Sequence, residues 1–312
     1  MNSYLDFESE IEKIESQIND CANSDLNSES KKNKLIEKKN YTLKKIYSNL
    51  SAWEKVQVAR HADRPHTKDY INLICRDIIY LHGDKKYSDD KAIIGCFASI
   101  EDRSVIIIGT EKGNSMSSRI KHNFGMAKPE GYRKAQRLML LADKFKIPII
   151  TFIDTAGAFP GKDAEERGQS ESIASSIMTS LKIKSPIVSV VIGEGGSGGA
   201  IALATADKVM MLEHSIYSVI SPEGCSSILW RSTDFIQKAA QNLKLTAQDC
   251  LRNKIIDSII REVSGGAHRY PEKQAQILKD ELLKNLSILD KIPGNEIRKI
   301  RNEKFINITS EI

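Results

Sequence analysis

The 312-residue sequence contains no run of about 18 consecutive apolar residues, so no transmembrane helix is expected. Its start, Met1-Asn-Ser-Tyr-Leu-Asp-Phe-Glu8, lacks a basic region followed by an apolar one, and no secretion signal is expected there. The five cysteines (Cys21, Cys75, Cys96, Cys225, Cys250) form no C-x-x-C pair. That argues against a zinc site within the chain and against a disulfide framework, and makes a reducing cytoplasm the expected compartment. Positive charge is also limited, at a net +5. Lys31-Lys32, Lys34, Lys38-Lys39 and Lys44-Lys45 lie close together near the N-terminus, but such spacing fits a solvated helix face. No nucleic-acid motif accompanies them, so no nucleic-acid partner is expected. An acidic substrate or an acidic partner stays open.

What is present is an ordinary globular composition, 40% hydrophobic and 28% charged, long enough for one large domain with an appendage. Residues 1–50 form an expected N-terminal helical arm. Ile11, Ile14 and Ile18 recur at helical spacing, as do Ile36, Leu43, Ile46 and Leu50, with a polar loop expected from Asp20 to Asn33. The arm is expected to pack on its own domain, with partner binding as the alternative. Residues 51–290 form the expected main domain. Beyond Thr246 helical patterns run to Leu289, Pro293-Gly294 ends them, and 291–312 read as a polar tail.

From Ala92 onward apolar runs alternate with helical stretches. Ala92–Ile100, Val105–Gly109, Pro148–Asp154, Pro186–Gly193, Val209–Leu212 and Ser215–Ile220 read as strands, several of them continuously apolar, as where both sheet faces are covered. A helix is expected over Glu130–Lys146, burying Ala135, Leu138, Met139, Ala142 and Phe145, and another over Ala164–Leu181, burying Ile173, Ile177 and Leu181. The class is therefore α/β. Pro148-Ile-Ile-Thr-Phe-Ile-Asp-Thr-Ala-Gly157 and Pro186-Ile-Val-Ser-Val-Val-Ile-Gly-Glu-Gly195 echo one another, each an apolar run ending at a glycine turn. Two such successive units place both turns on the carboxyl edge of the sheet, where open α/β sheets bind ligands.

The second turn satisfies three templates at once. Gly193-x-Gly195-x-x-Gly198 matches a dinucleotide fingerprint, and Glu213 stands where a ribose-binding acid would. The stretch Gly199–Ala206 gives only roughly 12 Å of helix, however, and a strand of ordinary length needs ~17–20 Å to recross. Gly195-x-Ser197-x-Gly199 matches a nucleophile elbow, with His268 and any of Asp207, Asp234 and Asp257 available as partners. Gly198-Gly199 on a first helical turn supplies free N–H groups suited to an oxyanion, or else simply permits close helix–strand packing. Asp154-Thr-Ala-Gly157 looks like a GTPase switch motif, but no G-x-x-x-x-G-K-[ST] loop accompanies it.

Several segments then converge. Asn123-Phe-Gly-Met-Ala-Lys-Pro-Glu-Gly-Tyr-Arg-Lys-Ala135, Phe152-Ile-Asp-Thr-Ala-Gly-Ala-Phe-Pro-Gly161, Glu165-Glu-Arg-Gly-Gln-Ser-Glu171 and Gly193-Glu-Gly-Gly-Ser-Gly-Gly199 closely resemble the carboxyltransferase alpha subunits of bacterial acetyl-CoA carboxylase. Ser218–Trp230, Gly265-Gly-Ala-His-Arg269, Ala59-Arg-His61 and Arg64-Pro65 extend the resemblance over nearly the whole chain. It implies a crotonase-like (ClpP/crotonase) fold of repeated ββα units. It implies as partners a carboxyltransferase beta subunit in an α2β2 assembly, a biotin carboxyl carrier protein and a biotin carboxylase. The implied reaction moves the carboxyl group of carboxybiotin to acetyl-CoA, giving malonyl-CoA for fatty-acid synthesis. ATP would be used by the biotin carboxylase, and the zinc of the complex would belong to beta.

By the same resemblance the amides of Gly198 and Gly199 face the ureido oxygen of biotin, with Gly157, Ala158, Gly195 and Gly196 nearby in the substrate site. Lys112, Lys128 and Arg133 are expected, from charge and location, to hold the CoA phosphates. A reaction in which carboxybiotin leaves its own basic nitrogen needs oriented amides and a dry site more than a titratable protein base. Three positions depart from the family: Ala156 replaces Pro, Thr110-Glu111 replaces His-Gln, and Ala127-Lys128 replaces Pro-Ala.

Overall fold

The computed structural model describes residues 4–22 and 28–308. A short 3-10 turn at Asp6–Glu8 leads into helices α1 (Ser9–Ala22) and α2 (Ser28–Tyr47), which form the arm. Both helices run into the stretch expected to be a loop, and its centre, 23–27, lies outside the described residues. Ile11 and Leu43 bury against Tyr47 and Val58, and Glu8 accepts a hydrogen bond from Tyr47 at 2.8 Å and pairs with Arg269 at 2.6 Å. The base of the arm is therefore docked on its own domain.

Helices α3 (Ala52–Ala59) and α4 (Thr67–Ile74) lead into strands β1 (Arg76–Tyr80), β2 (Ile93–Ile100) and β3 (Arg103–Thr110). Helices α5 (Met116–Lys121) and α6 (Pro129–Phe145) precede β4 (Ile149–Thr155). Then come α7 (Lys162–Glu166), α8 (Gln169–Lys182), β5 (Ile187–Gly196), α9 (Ser197–Ala204), β6 (Lys208–Leu212) and β7 (Ile216–Ser218). Helices α10 (Pro222–Trp230), α11 (Ile236–Asn242) and α12 (Ala247–Arg252), strand β8 (Ser258–Ile260) and helices α13 (Pro271–Leu289) and α14 (Gly294–Asn307) complete the chain.

The strands lie in the order β1-β2-β3-β4-β5-β6-β8, with β7 paired to the end of β5. The first three are antiparallel; from β3 onward neighbours run parallel. Both faces are covered, which explains the unbroken apolar runs. Ile106, Ile108, Ile149, Ile153, Ile187 and Val191 face α6 and α9, while Ile107, Ile150, Phe152, Val188 and Val190 face α4 and α13. The echoed units are adjacent and in register, Ile149 beside Ile187 and Thr151 beside Ser189, so their glycine turns do share the carboxyl edge.

Four expectations are corrected. The expected helix over Ala164–Leu181 breaks at Gly168, whose φ is +80°. The buried stripe of α8 is Ser172, Ser176 and Ser180 rather than the isoleucines, small residues that let α6 approach closely enough for Gln136 to bond Ser176 Oγ at 3.2 Å. Phe145 is 60% exposed at the C-terminal end of α6. The stretch read as a polar tail folds into α14 as far as Asn307: Arg301 is fully buried, pairs with Asp207 at 2.6 Å and donates to the carbonyls of Ile183 and Ser185. A single guanidinium saturating several buried acceptors anchors a helix whose other residues are mostly polar.

Candidate active site at the paired glycine turns

At the carboxyl edge the register between β4 and β5 slips. Ile153 lies beside Val191, but Thr155 lies beside Gly195, so two extra residues of β5 are accommodated there. The amide of Glu194 in this bulge donates to Asp154 Oδ1 at 3.0 Å instead of to a strand carbonyl. A Cβ on Gly193 would lie 2.5 Å from the same carboxylate oxygen, which is why glycine stands there.

Beyond the bulge the two turns interlock. A Cβ on Gly196 would fall 2.1 Å from the Ala156 carbonyl oxygen, and one on Gly199 would fall 2.6 Å from the Gly157 carbonyl carbon. Gly157 itself has φ +154°, and its amide is turned back to Thr155 Oγ1 at 3.1 Å. Gly198 differs. A Cβ there would meet only the Ile173 side chain, Cδ1 at 3.4 Å and Cγ2 at 3.8 Å, so no backbone crowds it. Gly198 and Gly199 occupy the first turn of α9, where N–H groups have no intrahelical acceptor and the helix dipole adds positive potential. Gly157, Ala158, Gly195, Gly196, Gly198 and Gly199 are thus brought together at one edge. The arrangement can bind a developing oxyanion through backbone donors.

Ser197 has φ +48° and is exposed, the backbone form of a nucleophile elbow. Its hydroxyl has no hydrogen-bond partner among the described residues, and His268 is stacked on His61 with ring centroids 4.0 Å apart, packed beside Tyr47 and Arg269. Without a base the serine is a turn residue. The dinucleotide reading fails for a reason other than helix length. Strand β6 does return beside β5, with Lys208 next to Val188, so an eight-residue helix plus Thr205–Asp207 suffices for the crossover. What rules the reading out is that Gly193 and Gly195 lie inside β5 rather than after it, and that Glu213 accepts a bond from the Glu262 amide.

Beneath the turns lies a charge network that no glycine pattern announces. Lys112 Nζ contacts Asp154 Oδ1 at 2.8 Å and Glu194 Oε2 at 3.1 Å. His66 Nδ1 lies 2.7 Å from Asp154 Oδ2, and Arg60 bridges Glu194 and Glu223, each at 2.6 Å. Burial alone would raise the Asp154 pKa, but Lys112 and His66 hold its carboxyl well below the usual range. Burial likewise works against the charged forms of Lys112, His66 and Glu194, and in each case the opposite charges prevail. The sequence signal was an acid at the end of one wholly buried strand and another inside the next.

Lys112 is therefore committed to two carboxylates and does not fit the role of a free phosphate ligand. Lys128 caps α6, its amide donating to Asp90 at 2.7 Å, and its ammonium lies 3.2 Å from Asp163 and 4.7 Å over the Phe159 ring. Arg133 pairs with Asp84 at 2.9 Å and donates to the Arg167 carbonyl. The three cations have separate structural partners. A cavity of about 220 Å³ opens over the network, lined by Arg60, His66, Lys112, Phe124, Ala156 and Glu194 among others.

The family departures are absorbed locally. Thr110 Oγ1 accepts from the Asp154 amide at 2.6 Å, Glu111 accepts from the Lys68 and Gly113 amides, and the Ala127 carbonyl accepts from Phe159 and Gln169. Among the described residues Glu8, His61 and His268 bring possible metal-ligating atoms together, but Arg269, Tyr47 and the Leu5 amide already occupy the Glu8 carboxylate.

Comparison with known proteins fixes the context of this edge. The profile of a family described as acetyl co-enzyme A carboxylase carboxyltransferase-like matches residues 4–309. The acetyl-coenzyme A carboxylase carboxyl transferase subunit alpha of Paramagnetospirillum magneticum is 52% identical over 311 residues, covering 97% of each chain. The chain belongs to this family of carboxyltransferase alpha subunits. Solved structures bear out the crotonase-like fold. The beta subunit of Pseudomonas aeruginosa geranyl-CoA carboxylase superimposes with a TM-score of 0.57 at 16% identity, over 78% of this chain and 46% of that one. The transcarboxylase 12S core gives 0.54 at 20% identity, over 67% of this chain and 41% of that one. Among the described residues no helix is long and apolar enough to cross a membrane.

Proposed function

We propose that this chain is the biotin-facing half of a carboxyltransferase that moves the carboxyl group of carboxybiotin to acetyl-CoA, yielding malonyl-CoA for fatty-acid synthesis. Its partners in this reading are a beta subunit in an α2β2 assembly, a biotin carboxyl carrier protein, and a biotin carboxylase that uses ATP elsewhere in the complex, all in the cytoplasm. The observation that carries the proposal is the pair of first-turn N–H groups at Gly198 and Gly199, in a family whose members are carboxyltransferase subunits. The absence of a side chain at Gly198, where no backbone crowds the Cβ position, fits a flat ligand, because a side chain there would fill the approach to the amides.

Carboxybiotin, when bound, supplies the carboxyl group and a ureido oxygen that gains negative charge as that group leaves. The Gly198 and Gly199 amides hold this oxygen, and one such donor is typically worth ~2.7–4 kcal/mol. Gly157, Ala158, Gly195 and Gly196 supply a close-packed backbone that keeps the amides oriented and water out. The Asp154–Lys112–Glu194 network holds both turns in place. The test is co-purification with a beta subunit followed by an assay of malonyl-CoA-dependent carboxylation of biotin. Complex formation with turnover is expected; a complex with every cognate beta subunit tried but no turnover would overturn the reading. Ser197→Ala should leave transfer intact, whereas a serine hydrolase would lose all activity.

A further inference from the structure

A second cavity, about 170 Å³, lies between α4, the end of α5, and the start of β2, and shares no lining residue with the cavity over the Lys112 network. Its rim carries Lys68, Lys91, Lys121 and Lys134 against one carboxylate, Asp89. Asp89 is already taken, since Lys134 Nζ lies 2.5 Å from its Oδ1 and 2.7 Å from the Asp90 carbonyl. Lys68, Lys91 and Lys121 have no carboxylate within ion-pair distance among the described residues. Tyr80 and Ile94, both half-buried on the face of the sheet that meets α4, give it an apolar side. Lys91 and Lys121 are exposed and Lys68 is half-buried, so three ammonium groups without a carboxylate partner rim one recess, and lysine is a point-charge ligand for phosphate.

The geometry points to a binding site for a phosphate ester at this cavity, the phosphate held by Lys68, Lys91 and Lys121 and its organic part lying on Tyr80 and Ile94. The inference stands apart from the proposed reaction, because it is read by binding without turnover. Phosphate esters could come from the phosphates of an acyl-CoA substrate or from a separate phosphorylated effector. The probes are phenyl phosphate and inorganic phosphate, titrated calorimetrically into the assembled complex. Phenyl phosphate should bind saturably and more tightly than inorganic phosphate. A triple variant, Lys68→Gln with Lys91→Gln and Lys121→Gln, should weaken it at least tenfold. A control triple on the arm, Lys31→Gln with Lys34→Gln and Lys38→Gln, should change it less than twofold. If the pocket triple also raises the KM for acetyl-CoA at unchanged kcat, the substrate is the source; if KM is unmoved, the source is an effector. Absence of saturable binding, or equal loss in both triples, would overturn the assignment.

Discussion

Replacing Lys112 by methionine tests the network on which the two turns rest. Methionine keeps most of the volume and removes the charge. The side chains of Asp154 and Glu194 are only 2% and 9% exposed, with Lys112 Nζ within 2.8 and 3.1 Å of them. His66 and Arg60 would remain as partial partners, but the lost cation leaves two nearby carboxylates facing each other. Removing one member of a buried ion pair typically costs ~3–5 kcal/mol. At about 2 °C per kcal/mol for a protein of this size, Lys112→Met should lower Tm by roughly 6–10 °C in a thermal unfolding experiment. The pH dependence has a definite sign. Both carboxylates have folded pKa values held below their ordinary ones, so their stabilising contribution is present above the unfolded pKa and is lost on acidification. The difference between wild type and variant should be largest near neutrality and shrink below about pH 4. Adding Glu194→Gln to the variant should recover part of the loss. A Tm shift under about 2 °C, or one independent of pH, would refute the reasoning.

Two further outcomes follow from the geometry. Gly199→Ala drives a methyl group into the Gly157–Ala158 backbone, at 2.6 and 2.8 Å, where no flexible side chain can yield; transfer should fall roughly 100-fold or more as the amides separate, measured as kcat in the assembled complex. His268 is pushed down to about 2 by burial and by His61 and Arg64 nearby, so the folded protein keeps it neutral. The unfolded chain binds that proton below its pKa of about 6.5, so stability should fall by about 1.4 kcal/mol per pH unit between pH 6 and 4; His268→Gln should flatten this limb, and an unchanged slope in urea titrations would contradict the assignment.

Much of the fold was legible because burial leaves a pattern. The strands from Ala92 to Ile220 were read within a few residues, and the echo of Pro148 and Pro186 correctly set the two glycine turns side by side. Strand β1 was missed because its burial is partial and irregular, and β8 because three residues carry no period. Helix α14 is hidden by its polarity: buried Arg301 docks it with only Ile297 and Phe305 as apolar contacts. At the site, glycine spacing locates the amides but carries no sign of the Asp154–Glu194 pairing, which exists only once β4 and β5 lie side by side around Lys112. Charge and location alone point Lys112 toward a phosphate. A single sequence shows that a lysine is present and not that two carboxylates from separate strands enclose it.

The central claim concerns two backbone N–H groups, and Gly198→Val tests it most directly. The new Cβ would make ordinary contact with the Ile173 side chain alone, at 3.4 Å, so the helix should form and the beta subunit should still bind. The branched side chain would stand before the amides. The account predicts an intact complex with unchanged Tm and carboxyl transfer reduced ~100–1000-fold, the loss typical of an oxyanion donor. A complex of Gly198→Val that transfers carboxyl groups at the wild-type rate would contradict it.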